Sequence, residues 1–200
     1  MAEEIKATPI ADCACCAAAN MKRRAVLQGL ATAGGMLAVS PAFAQSAESL
    51  PPQVGDFLTI KSDGSPLKPD DLRAGTSPKM GYAVSPDGVV RDADFMNQLA
   101  IIRVADADLS DAAKEIAIEG VLAYSSICTH AGCEVTNWLR EEKIMECPCH
   151  GSHFNPADNG AVVGGPAGRK LPQIGLALSD DGKLTVASVF DSRLGGDETM

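Results

Sequence analysis

The chain has 200 residues, of which 46% are hydrophobic and 22% charged, and this balance is typical of a globular protein and not of a disordered one. The length excludes a large multidomain enzyme and allows one domain with a tail. The net charge of −9 argues against nucleic acid as a partner, because phosphates are bound by clustered Lys and Arg.

The segment 21–44 predicts an export signal. Basic residues at its start are followed by an apolar stretch at 25–40 and by the small-x-small pattern that a signal peptidase reads, which ends at Ala44. The pair Arg23-Arg24 followed by Val26-Leu27 resembles a twin-arginine signal, which directs folded proteins to the periplasm. We expect cleavage after Ala44.

Two other interpretations of this segment stay open. One is a general secretory signal with two incidental arginines. The other is an uncleaved anchor in the inner membrane, although the stretch 25–40 as a helix would span only about 24 Å of a core about 30 Å thick. The chain contacts the membrane only if this second interpretation holds.

Residues 1–20 are an extension before the signal, and translation starting at Met21 is the simplest explanation of them. Cys13, Cys15 and Cys16 allow a metal or lipidation site there, but a lipidated cysteine follows the apolar stretch. After the signal, residues 45–56 predict a stiff linker, because two prolines lie within them.

Short extended segments separated by turn residues predict an all-β, antiparallel domain over residues 57–192. The predicted strands are 57–61, 81–84, 98–104, 121–125, 143–146, 175–178 and 184–189, with the last two in a hairpin. Ser110 is a candidate helix N-cap, but the alternation of Ile116 and Ile118 is typical of a strand and leaves the end of that helix open. The role of residues 57–114 is also open, and 193–200 are a tail.

Two short boxes hold the chemistry of the sequence. Four of the seven cysteines and all three histidines lie in them, in the order Cys128-Thr-His130-Ala-Gly132-Cys133 and Cys147-Pro-Cys149-His150-Gly151-Ser152-His153. A thiolate and an imidazole within three positions suit a tight loop that directs both at one metal centre. The residues between the boxes suffice for a strand, a turn and a strand that bring the two loops face to face.

The boxes resemble those of the Rieske iron–sulfur proteins, which hold a 2Fe–2S cluster with two cysteines on one iron and two histidines on the other. The resemblance implies that Cys128 and Cys147 bind one iron, that His130 and His150 bind the other, and that Cys133 and Cys149 form a disulfide. It is dense over 121–172 and includes a Gly165-Pro-Ala loop like the one that covers the cluster. It also implies an antiparallel β sandwich or barrel with a small cluster-binding subdomain, whose loops are 128–133 and 147–154.

Two alternatives use the same residues without a cluster. Zinc takes two cysteines and two histidines in a tetrahedral site, but it gives no reason for a second pair of cysteines. Two unrelated disulfides would require every histidine to lie in the boxes by chance.

Residues beside the expected ligands bear on the redox potential. Ser152 resembles a serine whose hydroxyl donates to a cluster sulfide and raises the potential. Phe154 and Ala131 stand where quinol-oxidising members carry tyrosine and leucine, so the resemblance implies a lower potential and argues against quinol oxidation. His153 is expected in a solvent-facing loop, outside the ligand set.

The leading hypothesis is an electron-transfer subunit or carrier of a periplasmic oxidoreductase, similar to the small subunit of arsenite oxidase. Its partners would be a larger catalytic subunit and a periplasmic cytochrome c or cupredoxin, and it would be no stand-alone enzyme. The alternative is the Rieske subunit of a cytochrome bc1-type complex that oxidises ubiquinol. A ferredoxin of a ring-hydroxylating oxygenase needs no export signal and is disfavoured.

Overall fold

A computed structural model of the chain describes residues 45–60 and 63–196. The extension, the signal and the cysteines at 13, 15 and 16 lie outside the described residues, as does Lys61 in the first predicted strand. None of the helices within the described ranges is both long enough and apolar enough to cross a membrane.

The described residues form ten strands, the short helix α1 (Asp111–Lys114) and several single 3-10 turns. The strands are β1 (Phe57–Thr59), β2 (Lys79–Val84), β3 (Leu99–Arg103), β4 (Val121–Ser125), β5 (Asn137–Leu139), β6 (Ile144–Cys147), β7 (Ser152–Asn155), β8 (Ala161–Gly164), β9 (Gln173–Leu178) and β10 (Leu184–Ser188).

Six of the strands close into a barrel in the order β1-β10-β9-β4-β3-β2, and the other four form a sheet in the order β5-β6-β7-β8. Every pair of neighbours is antiparallel. The four-stranded sheet is inserted between β4 and β9, which pair with each other in the barrel. This confirms the predicted all-β fold with a barrel and a smaller subdomain.

Strands β3 and β4 are buried on both faces, which explains their continuous apolar sequences. Leu99 and Ile101 belong to the core inside the barrel, whereas Ala100 and Ile102 belong to a second core, which includes residues of the four-stranded sheet. Since successive side chains of a strand point to opposite faces, β3 and β4 form the wall that the barrel and the sheet share.

Tyr124 in β4 connects the barrel to the part of the chain that forms the four-stranded sheet. Its side chain is fully buried, and its hydroxyl donates to the carbonyl oxygen of Pro156 at 2.8 Å. Burial, with smaller contributions from two nearby carboxylates, raises the pKa of the phenol above its ordinary value. A side-chain carbon at Gly160 would lie 3.1 Å from the tyrosine ring, so the chain passes tightly over it.

Two local predictions are confirmed. Residues 175–178 and 184–188 form a hairpin with Gly182 at positive φ in the turn, and the Ser110 hydroxyl accepts from the backbone N–H of Ala113 at 3.2 Å as an N-cap. The helix ends at Lys114, and Ile118 forms a single bridge with Val121. Strands β5, β7 and β8 were not predicted, because they are only three or four residues long and Gly, Asn and His interrupt their apolar patterns.

Residues 45–56 contact the barrel through hydrogen bonds. Arg91 donates to the carbonyl oxygen of Ala47 at 3.1 Å, and Asn97 donates to that of Leu50 at 2.8 Å. The Arg91 guanidinium also pairs with the Asp56 carboxylate at 2.5 and 3.0 Å, and both side chains are buried. The segment is therefore fixed to the domain from its first residues onward.

Candidate metal centre

The first loop, residues 128–133, follows β4 and closes as a tight turn. The N–H of Cys128 donates to the carbonyl oxygen of Cys133 at 2.7 Å, and that of Gly132 donates to the carbonyl oxygen of Cys128 at 3.0 Å. Gly132 has a φ of 77°, a conformation that residues with a side chain adopt with strain. This glycine lets the turn close under the side chains of the loop.

The second loop, residues 147–154, repeats this turn. It connects β6 to β7, where Cys147 pairs with Ser152, and the N–H of Gly151 donates to the carbonyl oxygen of Cys147 at 3.0 Å. Gly151 also has positive φ, at 68°. In each loop a glycine four residues after a buried cysteine binds the backbone of that cysteine.

The two buried cysteines keep free thiols. Cys128 is 1% exposed and Cys147 is 2% exposed. Burial is the largest effect that raises the pKa of the Cys147 thiol, and the neighbouring Cys128 thiol raises it further, while backbone N–H groups of the second loop oppose both. The two thiols are thus adjacent, shielded from water and available as metal ligands.

The other two cysteines form a disulfide. Cys133 and Cys149 are bonded, with their Cα atoms 6.5 Å apart, as the resemblance implied. The sulfur atoms of Cys133, Cys147 and Cys149 all lie within 4.8 Å of one another. Two of these three sulfurs are bonded to each other, so this cluster is no metal site while the bridge is intact; the bridge ties the loops together beside Cys147.

The predicted histidines face each other across the two loops. The rings of His130 and His150 lie edge to face with their centroids 4.8 Å apart. The Nδ1 atom of His130 is buried and has no hydrogen-bond partner among the described residues. His150 is exposed to solvent. In the sequence each of these imidazoles follows a buried free cysteine by two or three residues, and two cysteines with two histidines are the donors of an iron–sulfur cluster with mixed ligands.

Three further residues of the two loops were expected to influence the redox potential. The hydroxyl of Ser152 is buried and finds no hydrogen-bond partner within the described part of the chain, so its proton is available for an acceptor in the centre. Phe154 is fully buried in the core that the barrel and the sheet share. Ala131 is exposed at the tip of the first loop.

The loop of residues 165–168 packs against the second loop. A side-chain carbon at Gly165 would lie 2.2 Å from the carbonyl oxygen of Gly151 and 2.6 Å from the Cα of Ser152, so this position requires glycine. At the end of the loop, the carbonyl oxygen of Arg169 accepts a hydrogen bond from the Thr129 hydroxyl at 2.6 Å. Thr129 was not predicted to belong to the site, although it lies between two candidate ligands in the sequence.

His153 was expected in a solvent-facing loop; it lies instead in a strand, on the face that points away from the core. The residue lies in β7, is only partly exposed, and has its Nε2 atom 3.7 Å from the Glu146 carboxylate on the neighbouring strand. Alternation along β7 explains this, because Ser152 and Phe154 point to the buried face and His153 to the other.

Comparison with known proteins agrees with this geometry. Residues 84–175 match the protein family described as "Rieske [2Fe-2S] domain". The chain is 35% identical over 148 residues to the cytochrome bc1 complex Rieske iron-sulfur subunit of Streptomyces lividans, covering 70% of this chain and 85% of that protein. It is 34% identical over 187 residues to a protein of Haloferax mediterranei proposed to be the Rieske subunit of a respiratory nitrate reductase, covering 88% of this chain and 81% of that one.

Among solved structures, the soluble domain of the Rieske protein II of Sulfolobus acidocaldarius matches 40% of this chain and 45% of its own, with 26% identity and a TM-score of 0.36. The relatives from Streptomyces lividans and Haloferax mediterranei are matched over 85% and 81% of their lengths, and these two matches show the family. The chain belongs to the Rieske family of electron-transfer proteins, whose domain carries a [2Fe-2S] cluster.

Proposed function

We propose that Cys128 and Cys147 bind one iron of the cluster and that His130 and His150 bind the other. The observation that carries this assignment is the separation of the four cysteines into a buried free pair and a bridged pair. The unpartnered Nδ1 atom of His130 supports it, because a buried imidazole nitrogen without an acceptor or donor is costly unless a ligand occupies it.

Once bound between these residues, a Rieske cluster supplies one-electron chemistry at roughly −150 to +300 mV. The chain's own residues set the conditions for it. The two free cysteines are buried, so their side of the site is shielded from water. His150 is exposed, so its side of the site reaches the protein surface. The Cys133–Cys149 disulfide holds the two loops together.

We further propose that the chain is the iron–sulfur subunit of a periplasmic oxidoreductase. It would pass electrons from a larger catalytic subunit to a cytochrome c or a cupredoxin. The relative from Haloferax mediterranei supports a subunit of this kind. Phe154 and Ala131 support it too, because they lack the hydroxyl and the bulk that the resemblance associates with quinol oxidation.

The relative from Streptomyces lividans favours a second candidate, the Rieske subunit of a bc1-type complex. The two functions differ in what reduces the protein. A bc1-type subunit is reduced by quinol in the assembled complex, whereas the subunit of a periplasmic oxidoreductase is reduced by the substrate of its catalytic partner.

We also propose boundaries for the segments of the chain and a location in the periplasm. Residues 21–44 would be a twin-arginine signal after an extension at 1–20, residues 45–56 would connect it to the domain at 57–192, and 193–200 would be the tail. Export to the periplasm would bring the Cys133–Cys149 bridge into an oxidising compartment, which favours it.

Spectroscopy and analysis of the purified protein test the ligand assignment. We expect two irons and two labile sulfides per chain and, after reduction, an electron paramagnetic resonance signal with a low average g value. Replacing His130 with Cys should shift that signal toward that of an all-cysteine cluster. A single divalent ion in place of iron would contradict the assignment.

Cell fractionation and electron donors test the role. We expect a periplasmic protein that begins near Gln45, co-purifies with a larger subunit and reduces cytochrome c or a cupredoxin. An intact amino terminus in the membrane fraction, with reduction by ubiquinol, would support the bc1-type subunit instead.

A further inference from the structure

The carboxyl-terminal segment, residues 193–196, lies against the first loop. Gly195 is buried, although it is only one residue from the end of the described part of the chain. At Gly196 a side-chain carbon would lie 2.7 Å from the carbonyl oxygen of His130 and 3.0 Å from the Cα of Ala131. The backbone of this segment therefore touches the backbone of the loop that carries one of the proposed ligands.

Arg169 holds the segment in this place. Its Nη1 atom donates to the carbonyl oxygen of Arg193 at 2.6 Å, and its Nη2 atom donates to the carbonyl oxygen of Gly195. The Arg193 side chain in turn donates to the carbonyl oxygen of Gly196 at 3.0 Å. One planar guanidinium thus binds two carbonyl oxygens of the segment with defined geometry, which a lysine cannot reproduce.

The backbone of Arg169 is joined to the first loop as well. Its carbonyl oxygen accepts from the hydroxyl of Thr129, which is fully buried beside His130. The side chain of Arg169 binds the segment 193–196, and its backbone carbonyl oxygen binds the first loop. Arg169 therefore connects the segment to the loop.

We propose that residues 193–196 and Arg169 form a clasp that fixes the first loop and slows the release of iron from it. Arg169 is in this sense a positioning residue that acts on His130 from outside the ligand set. The proposal rests on the proposed ligands. It assigns to the predicted tail a role in retaining the cluster.

The clasp acts on one loop. The second loop contacts residue 165 instead. Because the two loops share the same turn, the N–H of Gly132 and that of Gly151 are matched reporters of their opening. Loss of the clasp should speed hydrogen exchange at Gly132 and leave Gly151 unchanged.

The experiment compares Arg169→Gln and a chain ending at Ser192 with the parent protein, all purified with iron. Lys170→Gln is the matched control, since Lys170 is the next residue and pairs with Asp191 at 2.6 Å outside the clasp. We measure the half-time of iron loss to a strong chelator and the hydrogen exchange of the two glycine amides. Both clasp variants should lose iron about tenfold faster, Arg169→Lys should lie between, and Lys170→Gln should match the parent.

The results separate the two proposals. Parent protein without bound iron would overturn the proposed ligands. Parent protein with iron, together with clasp variants that keep it as long and exchange Gly132 as slowly, would overturn the clasp alone. Equal acceleration at Gly132 and Gly151 would also overturn it, because it would show general destabilisation.

Discussion

At the scale of single residues, we expect two positions of the second loop, Ser152 and Phe154, to influence the redox potential of the proposed centre. Ser152 has a buried hydroxyl whose proton has no acceptor among the described residues, and Phe154 has a buried ring with no hydroxyl at all. A hydroxyl that donates toward a centre stabilises its reduced, more negative state and so raises its potential.

We predict that Ser152→Ala lowers the midpoint potential and that Phe154→Tyr raises it. A hydrogen bond to a charged group contributes about 1.5–3 kcal/mol, which corresponds to roughly 60–130 mV for one electron. Redox titration followed by visible absorbance measures both shifts. The exposed Ser192 gives the control, since Ser192→Ala should leave the potential unchanged. Identical potentials in all four proteins would contradict the role of these two side chains.

The two boxes that carry the proposed ligands could be recognised at this scale, because each box places its cysteine and histidine within three residues of each other. The clasp could not. Arg169 and Gly195 are 26 residues apart, and an arginine that binds backbone carbonyl oxygens leaves no pattern in the sequence it binds. The residues around His153 do not show that it lies in a strand either, because β7 is defined by its pairing with β6 and β8.

At the scale of elements, the disulfide connects two turns that are otherwise separate. Cys133 and Cys149 are 16 residues apart, and closing a loop of this length stabilises the folded state by about 3 kcal/mol in the chain-entropy account. The bridge joins the last residue of the first loop to the turn of the second loop.

We predict that Cys133→Ser and Cys149→Ser proteins fold and bind iron but lose it faster than the parent. The physical reason is that the loops separate more easily when the bridge is gone, while the four proposed ligands remain. Iron content after purification and the rate of bleaching at 37 °C measure this. If either variant folds without any iron, the mutated cysteine is itself a ligand and the assignment of the pairs is wrong.

Tyr124 is the contact between elements whose loss should be most readily measured. Tyr124→Phe removes the donor to the Pro156 carbonyl oxygen and leaves that oxygen buried, so we expect the free energy of unfolding to fall by about 1–3 kcal/mol. Urea denaturation gives the value. Tyr82 is the matched control, because its hydroxyl is only half-buried and Tyr82→Phe should cost less. A larger loss of unfolding free energy for Tyr82→Phe than for Tyr124→Phe would contradict the role given to the Tyr124 hydrogen bond.

At the scale of the whole molecule, strands β3 and β4 could be predicted because both of their faces lie in a core. Strand β4 has the predicted bounds, since five consecutive apolar or small residues are buried. Strand β5 is only three residues long and has no buried residue, so its pattern carries little information. The closure of the barrel depends on β1 pairing with both β2 and β10, and such long-range pairing is not written in any local pattern.

The buried ion pair ties the amino-terminal segment to the barrel, and we predict that it is essential for stability. Arg91→Leu leaves the carboxylate of Asp56 buried without a cation, and breaking a buried pair in this way costs about 3–5 kcal/mol. Thermal and urea unfolding measure the loss. The control is the exposed pair of Arg103 and Asp70, where Asp70→Asn should cost less than about 1 kcal/mol. Equal effects at the two pairs would contradict the prediction.

The four-stranded sheet begins and ends at the same place on the barrel. Ser125 at the end of β4 donates to the carbonyl oxygen of Pro172, and Tyr124 pairs with Gln173 at the start of β9. Antiparallel neighbours can be joined by a two-residue turn, so residues 127–171 form a cassette whose excision leaves every ladder of the barrel intact. The bare barrel would expose Leu122 and Tyr124, so it would need polar replacements at these two positions to stay in solution.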